Sequence, residues 1–270
     1  MPATPPVAAT LPEPTTPKVD FGEPTTPYAA YAGIDTLHSL LHPLSKEPAE
    51  TSFIVATQVM ELLFGLIRHE WTRAQHALRA DDLPEATAAL RRGLDAQEVL
   101  VRSWDLLSTM TGVEFSAFRP VLGEASGFQS YMYLHLEFLL GNKDERLLRL
   151  YAGSPQVHAD LTRSLNEPSL YDDAVAYLGR RGVDTTDPKA AWLSVYADPT
   201  LPGVRELQGL AELLLDVAER VTRWRQRHLS AVKRCMGAKP GTGGSSGLTW
   251  LRQAAEQDVF PDLWAVRNEL

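Results

Sequence analysis

The chain has 270 residues, of which 44% are hydrophobic, so it can bury a full core and is most simply one domain with a tail. A formal charge of −8 and a pI near 5.4 disfavour binding to nucleic acid or to an anionic membrane. The single cysteine excludes an internal disulfide. We find no apolar run long enough for a signal peptide or a membrane span, so the cytoplasm is the expected compartment.

The first residues differ in composition from the rest of the chain. Proline recurs among alanine and threonine through residues 1–27, which hold too little apolar material to fold alone. We therefore predict a disordered arm over residues 1–27 and a single domain over residues 28–270.

A short amphipathic helix is predicted next, from Ile34 to Leu41. His38 and His42 have the spacing of helical metal ligands. Pro43 ends the helix and no adjacent carboxylate completes a site, so this pair is a weak candidate for a metal.

Longer helices follow, because apolar residues recur every three or four positions. No sustained alternation of apolar and polar residues is present, so the predicted class is all-α. The predicted segments are a helix from near Glu50 to Leu78, a helix capped by Asp81 and Asp82, a break from Gly112 to Gly127, a helix from Phe128 to Leu140, a shorter helix opening at 142–146, and short helices and loops over 168–203.

The clearest stripe runs from Leu207 through Trp224 to Cys235, and it carries one ionisable side chain, His228. We place Arg225 and most other charged residues of this helix off the stripe. A buried histidine must be hydrogen-bonded or ligated. His228 is therefore either a core histidine with hydrogen-bond partners or a ligand.

A glycine-dense loop follows this helix, which is predicted to stop at Gly237. The sequence Gly241-Thr-Gly-Gly-Ser-Ser-Gly247 permits positive φ angles and close backbone approach to a ligand, and Thr242 supplies a hydroxyl. A flexible linker is disfavoured because core-like residues resume at Leu248. A phosphate-binding P-loop is disfavoured because no Gly-Lys-Ser/Thr ends the segment.

Two further polar residues stand among apolar ones. Arg119, in the segment that breaks the helical pattern, can present a planar fork to a carboxylate, or it forms a structural salt bridge. Thr57 is the polar exception on an apolar helix face. Its hydroxyl either contributes to a binding site or forms a hydrogen bond to its own helix. With Phe53, Phe115 and Thr242, these residues compose a site for a zwitterionic aromatic amino acid.

Four ordered motifs resemble the tryptophan 2,3-dioxygenase superfamily, and the similarity spans about residue 28 to the C-terminus. The motifs are Phe118-Arg119-Pro-Val-Leu-Gly-Glu-Ala-Ser-Gly-Phe-Gln-Ser130, Glu137-Phe-Leu-Leu-Gly-Asn-Lys143, Trp224-Arg-Gln-Arg-His228 and Gly241-Thr-Gly-Gly-Ser-Ser-Gly247.

The resemblance implies an all-helical bundle that binds heme b, with His228 as the axial ligand of the iron. Trp104, Ser126 and Gly127 are then expected against the heme.

The resemblance also implies a substrate site. Arg119 is expected to hold the substrate carboxylate, Thr242 its ammonium group, and Phe53 and Phe115 the indole. Tyr28 and Tyr31 are expected to reach the site of a neighbouring subunit in a homotetramer whose N-terminal arms are exchanged.

Two positions depart from the family. Thr57 stands where bacterial members have a histidine that bonds the indole N–H, and Phe115 stands where they have a tyrosine. Because both polar groups are missing, we lean to monooxygenation of L-tryptophan or a substituted tryptophan to a 2-oxindole in specialised metabolism, which needs an external reductant as well as O2.

Two alternatives stay open. The first is a tryptophan 2,3-dioxygenase that forms N-formylkynurenine. The second is a heme or tryptophan binder without turnover, which the joint presence of Arg119, Thr242 and His228 disfavours.

Overall fold

The computed structural model describes residues 24–242 and 247–270. Every regular element within these ranges is helical, which confirms the all-α prediction. The α-helices are α1 (Pro27–Ala32), α2 (Ile34–Ser39), α3 (Pro48–Arg79), α4 (Leu83–Ser103), α5 (Asp105–Ser108), α6 (Gly112–Phe118), α7 (Tyr131–Leu139), α8 (Pro155–Asn166), α9 (Leu170–Arg180), α10 (Pro188–Ala197), α11 (Val204–Met236), α12 (Leu248–Glu256) and α13 (Pro261–Val266). Three 3₁₀ helices cover Arg119–Leu122, Gly127–Gln129 and Glu145–Tyr151.

The chain divides into two compact units, one ending at His42 and the other beginning at Pro43. In the first, the Thr26 hydroxyl caps α1 by accepting a hydrogen bond from the Ala29 N–H. Gly33, with a φ of +62°, separates α1 from α2. Residues 1–23 of the predicted arm lie outside the described residues, and a single domain over residues 28–270 stays a prediction.

The second unit is built on the long pair α3 and α4. The Asp82 carboxylate accepts a hydrogen bond from the Glu85 N–H, as the predicted cap requires. Gly93 of α4 allows the helices to approach, because a Cβ there would lie 2.9 Å from Nε1 of the buried Trp71. A larger residue at Gly93 would therefore push the two helices apart.

Helix α11 packs against α4, α6, α10 and α12. Its predicted apolar face is buried, and the helix ends at Met236 with Gly237 following at a φ of +61°. The predicted stop is confirmed. Residues buried along this face include Leu207, Leu210, Leu214, Val217, Val221 and Trp224.

Two segments are more regular than predicted. Helix α6 forms inside the predicted break, because Thr111 and Glu114 make a reciprocal capping box at its start. Helices α9 and α10 occupy much of residues 168–203, where Ser169 and Asp187 cap their first turns. These short helices carry too few apolar repeats for periodicity to reveal them.

The predicted helix from Phe128 begins later, at Tyr131, because Ser130 caps it by accepting from the Tyr133 N–H. The segment after Gly141 forms a 3₁₀ helix from Glu145.

By length and composition alone, helix α3 is apolar enough to cross a membrane, although polar residues interrupt its apolar runs. It packs against α4, α7 and α9 of the same unit. The cytoplasmic location stays a prediction.

A buried ion pair joins α11 to α7, and it corrects the placement of Arg225 off the buried face. Arg225 is 4% exposed, and its Nη2 donates to both carboxylate oxygens of Glu137, at 2.9 and 2.8 Å. Its Nη1 donates to the carbonyls of Ala254 and Gln257, at 3.0 and 2.9 Å. Burial opposes the charge of Arg225, but Glu137 and Tyr133 outweigh it and raise the arginine pKa. The guanidinium therefore ties three segments together.

We expect Glu137→Ala to lower the free energy of unfolding by about 3–5 kcal/mol, because it leaves the Arg225 charge buried without a counter-ion. Urea denaturation followed by circular dichroism measures this loss. The matched control is Glu269→Ala, which removes a carboxylate paired at the surface with Lys189 and should cost less than about 1 kcal/mol. Equal losses in the two variants would contradict the assigned role of the buried pair.

We also expect stability to depend on His135, a buried residue of α7. Burial and the charge of Arg68 together lower its pKa to about 4, against the opposing effect of Asp160. The unfolded chain takes up a proton below about pH 6.5, whereas the folded chain stays neutral down to about pH 4. The free energy of unfolding therefore falls as the pH decreases through this window, by about 1 kcal/mol per pH unit.

Denaturation curves between pH 7 and pH 4 test this dependence. His135→Leu should make it less steep, with a remaining slope from His228, whose pKa burial also lowers to about 4, while the control variant His76→Gln, at an exposed position of α3, should retain the full slope. The same slope in wild type and His135→Leu would contradict the prediction.

Candidate functional site

His228 lies in the last third of α11, half-buried, with its ring stacked on Trp104. The two ring centroids are 4.7 Å apart and the planes differ by 18°. Burial lowers the pKa of His228 to about 4, so the imidazole is neutral. Among the described residues, neither ring nitrogen has a hydrogen-bond partner. The imidazole is thus in the state that a metal requires of it.

Aromatic side chains surround this imidazole. Trp224, one turn before His228, lies 5.5 Å from it and 5.7 Å from Trp104 between ring centroids. Tyr133 and Phe64 pack against the other side of Trp224. The indole N–H groups of Trp104 and Trp224 are buried and lack an acceptor within the described residues. Buried donors of this kind normally have a partner.

A second group of predicted residues lines a pocket of about 430 Å³. Arg119, at the end of α6, and Thr242, beyond α11, both face it, so the predicted carboxylate and ammonium contacts share one pocket. Arg119 donates from Nη2 to the carbonyl of Pro240 at 2.7 Å, while its Nε is buried without a partner. The lining residues are Ser116, Arg119, Pro120, Gly123, Lys239, Gly241 and Thr242.

Two contacts hold the glycine-dense loop against this pocket. The Thr242 hydroxyl donates to the Ala125 carbonyl at 2.5 Å. Gly247 has a φ of +60°, and a Cβ there would lie 2.8 Å from the Lys239 carbonyl oxygen. Any residue larger than glycine would displace the loop. Residues 243–246 of the motif lie outside the described part of the chain.

The predicted aromatic walls contact each other. Phe53 of α3 lies 5.9 Å from Phe115 and 5.4 Å from Phe118, both on α6, between ring centroids. Thr57, one turn after Phe53, is exposed in this structure, and its hydroxyl donates to the Phe53 carbonyl at 2.9 Å. The hydroxyl proton of Thr57 is therefore bonded within its own helix, which is one of the two alternatives that the sequence left open.

The remaining predicted residues lie as follows. Ser126 caps the 3₁₀ helix Gly127–Gln129, and its hydroxyl accepts from the Phe128 N–H at 3.4 Å. Gly127 is exposed, and a Cβ there would meet no atom within 4 Å. Tyr28 and Tyr31 of α1 are 73% and 94% exposed, so their own chain does not bury them.

The structure thus brings the predicted residues into local groups. His228 contacts Trp104, Arg119 shares a pocket with Thr242, and Phe53 contacts Phe115. No hydrogen bond, ion pair or ring contact joins His228 to Arg119 across residues 24–242 and 247–270. Helix α6 relates the groups, because it packs against both α3 and α11 and leads directly into Arg119.

Sequence reasoning missed three features. The first is the Arg225–Glu137 pair, whose members lie in two different motifs. The presence of an oppositely charged residue in each motif could have indicated the pair. Lys239 was missed because it lies outside the motifs. Gly247 was read only as part of a permissive loop, although its contact with Lys239 requires glycine at that position.

The surroundings of His228 fit a heme. No group of three or more histidine, cysteine, aspartate or glutamate side chains capable of holding a metal occurs in the described ranges, so a metal at His228 must bring its other ligands with it. A heme does so, and the neutral imidazole of His228 would bind its iron. These features define a class, all-helical heme proteins that hold the iron through a histidine in an aromatic setting and have an arginine-lined pocket.

Comparison with known proteins agrees with this class. The chain matches the family described as tryptophan 2,3-dioxygenase over residues 13–156 and 152–270. A tryptophan 2,3-dioxygenase of Burkholderia pseudomallei is 41% identical over 269 residues, which cover 94% of this chain and 87% of that protein. Tryptophan 2,3-dioxygenase 1 of Ralstonia nicotianae is 39% identical over 94% of this chain and 90% of its own length. The chain belongs to the tryptophan 2,3-dioxygenase family, whose members are heme-dependent oxygenases.

Proposed function

We propose that this protein uses heme and O2 to oxidise the C2–C3 bond of the indole of L-tryptophan or a substituted tryptophan. Dioxygenation to an N-formylkynurenine is the better supported outcome, because the similar proteins are named tryptophan 2,3-dioxygenases. The structural observation that carries the proposal is the pocket shared by Arg119 and Thr242, which suits an amino-acid head group.

Heme, when bound, supplies the iron that activates O2, and His228 would hold it. Trp104, Ser126 and Gly127 would line the porphyrin. The indole N–H of Trp104 has no acceptor within the described residues, and a Cβ at Gly127 would meet no atom within 4 Å.

The chain's own residues would orient the substrate. The Arg119 guanidinium would pair with the α-carboxylate and the Thr242 hydroxyl would accept from the ammonium group, which fixes the amino-acid end. Phe53 and Phe115 would confine the indole. Because the Thr57 proton already bonds to the Phe53 carbonyl, Thr57 can only accept a hydrogen bond from the indole N–H. It is no base, so the indole keeps its proton during the first oxidation.

Monooxygenation to a 2-oxindole is the second candidate, and the nature of the distal residues favours it. Neither Thr57 nor Phe115 is a titratable group, so neither can move a proton at the indole. Insertion of one atom consumes two electrons from an external reductant and releases the other oxygen atom as water.

The product mass decides between these outcomes. Reduced, heme-loaded protein is mixed with L-tryptophan and O2, with and without a reductant. We expect a gain of two oxygen atoms that does not depend on the reductant. One added atom that depends on reductant would replace this expectation with monooxygenation, and a heme spectrum that shifts without O2 consumption would indicate a binder. Thr57→His should change the product ratio or the preference for substituted tryptophans if this position controls the reaction, and an unchanged profile would contradict such control.

We expect His228→Ala to abolish stable heme binding, because it removes the side chain that would bind the iron. The Soret absorbance and the heme content of purified protein measure this loss. Added imidazole should restore part of the Soret band in the variant. His158→Ala, on α8, is the matched control and should retain full heme content.

We also propose a homotetramer in which Tyr28 and Tyr31 of one subunit reach the site of another. The exposure of both tyrosines supports this arrangement, as does an apolar strip of Val55, Leu62 and Leu66 on α3 that the chain leaves uncovered. Light scattering should report about four times the mass of 29.8 kDa, and Leu62→Glu should reduce it. A monomeric wild-type protein would refute the arrangement.

A further inference from the structure

The pocket that contains Arg119 and Thr242 also contains a lysine that the family motifs do not include. Lys239 lies between the end of α11 and the glycine-dense loop, and it lines the same pocket of about 430 Å³. The seven lining residues include two cations and no carboxylate. In a chain with a formal charge of −8, such a pocket selects for an anionic ligand.

The two cations are not neutralised by the chain. Neither Arg119 nor Lys239 forms an ion pair with any residue in the ranges 24–242 and 247–270. Within the described part of the chain, the hydrogen bond of Arg119 goes to a neutral carbonyl, that of Pro240, and its buried Nε has no acceptor. A buried guanidinium N–H without an acceptor is a costly arrangement that an anionic ligand would relieve.

The backbone holds Lys239 beside Arg119. Pro240, the next residue, accepts the 2.7 Å hydrogen bond from Arg119. On the opposite side, Gly247 lies so close to the Lys239 carbonyl that a Cβ would approach it to 2.8 Å. The backbone of Lys239 is therefore held at the pocket by its neighbours, so its side chain starts from a fixed position at the pocket rim.

We infer that Lys239 is a second cation for the substrate α-carboxylate, and that with Arg119 it makes the pocket specific for amino acids over analogues without a carboxylate. This inference rests on the proposed function and adds a specificity residue to it. Arg119 supplies the directional fork, whereas the ammonium of Lys239 supplies charge from the pocket rim.

The experiment compares L-tryptophan with L-tryptophanamide, in which a neutral amide replaces the carboxylate. Heme-loaded wild type, Lys239→Gln and Lys239→Arg are titrated with each ligand, and the heme absorbance reports binding. The control is Lys233→Gln, which removes the same charge from an exposed position of α11 outside the pocket.

We expect Lys239→Gln to bind L-tryptophan about two- to fivefold more weakly and L-tryptophanamide no more weakly than wild type does, because only the first ligand carries the negative charge that Lys239 meets. Lys239→Arg should recover most of the affinity, and Lys233→Gln should match wild type. Raising the salt concentration should weaken L-tryptophan binding less in Lys239→Gln than in wild type.

Two results would overturn the inference, and they are distinguishable. Equal affinity of wild type and Lys239→Gln for L-tryptophan would refute the role of Lys239 and leave the proposed function intact. A wild-type protein that binds heme but shows no response to L-tryptophan would refute the proposed function and the inference together.

Discussion

The buried pair of Arg225 and Glu137 is the interaction on which the site depends. It joins α11 to α7, and the second nitrogen of Arg225 reaches the carbonyls that end α12. His228 lies three residues further along the same helix. Because an isolated helix of this length can bend and rotate, a fully bonded guanidinium one turn before the imidazole fixes the direction in which the ring points. A buried charge is suited to this role because a shift of α11 along its axis would separate the guanidinium from the Glu137 carboxylate and leave it unpaired.

The substrate pocket is organised differently, by backbone contacts at the end of α6. Arg119 bonds to Pro240, Thr242 bonds to Ala125, and Gly247 packs on Lys239. Two segments more than one hundred residues apart in the chain are therefore joined at their carbonyl groups. The side chains that contact the imidazole are aromatic, whereas the pocket lining is cationic. In the proposed site the cationic pocket would meet the substrate carboxylate, and the contacting pair Phe53 and Phe115 would meet its apolar ring.

Much of this arrangement follows from the sequence, and the failures have physical causes. The face of α11 and the position of His228 were predictable because one long helix repeats its apolar period many times. Helices α6, α9 and α10 were not, since a helix of two or three turns forms through its caps and its tertiary contacts. The burial of Arg225 was not predictable from α11 alone, because the partner that makes it tolerable comes from α7. Thr57 differs from Arg225 in that its hydrogen bond was predictable, because the acceptor lies in its own helix.

The conformation of Gly247 shows that a residue can be essential to this site without contacting a ligand. Its φ of +60° and its contact with the Lys239 carbonyl forbid every side chain at that position, yet Gly247 does not line the pocket. Tolerance to substitution along the loop therefore cannot serve as a guide to ligand contact. A residue required for the backbone conformation of the loop would tolerate substitution as poorly as a residue that contacts the substrate. Only the geometry of the site would distinguish the two.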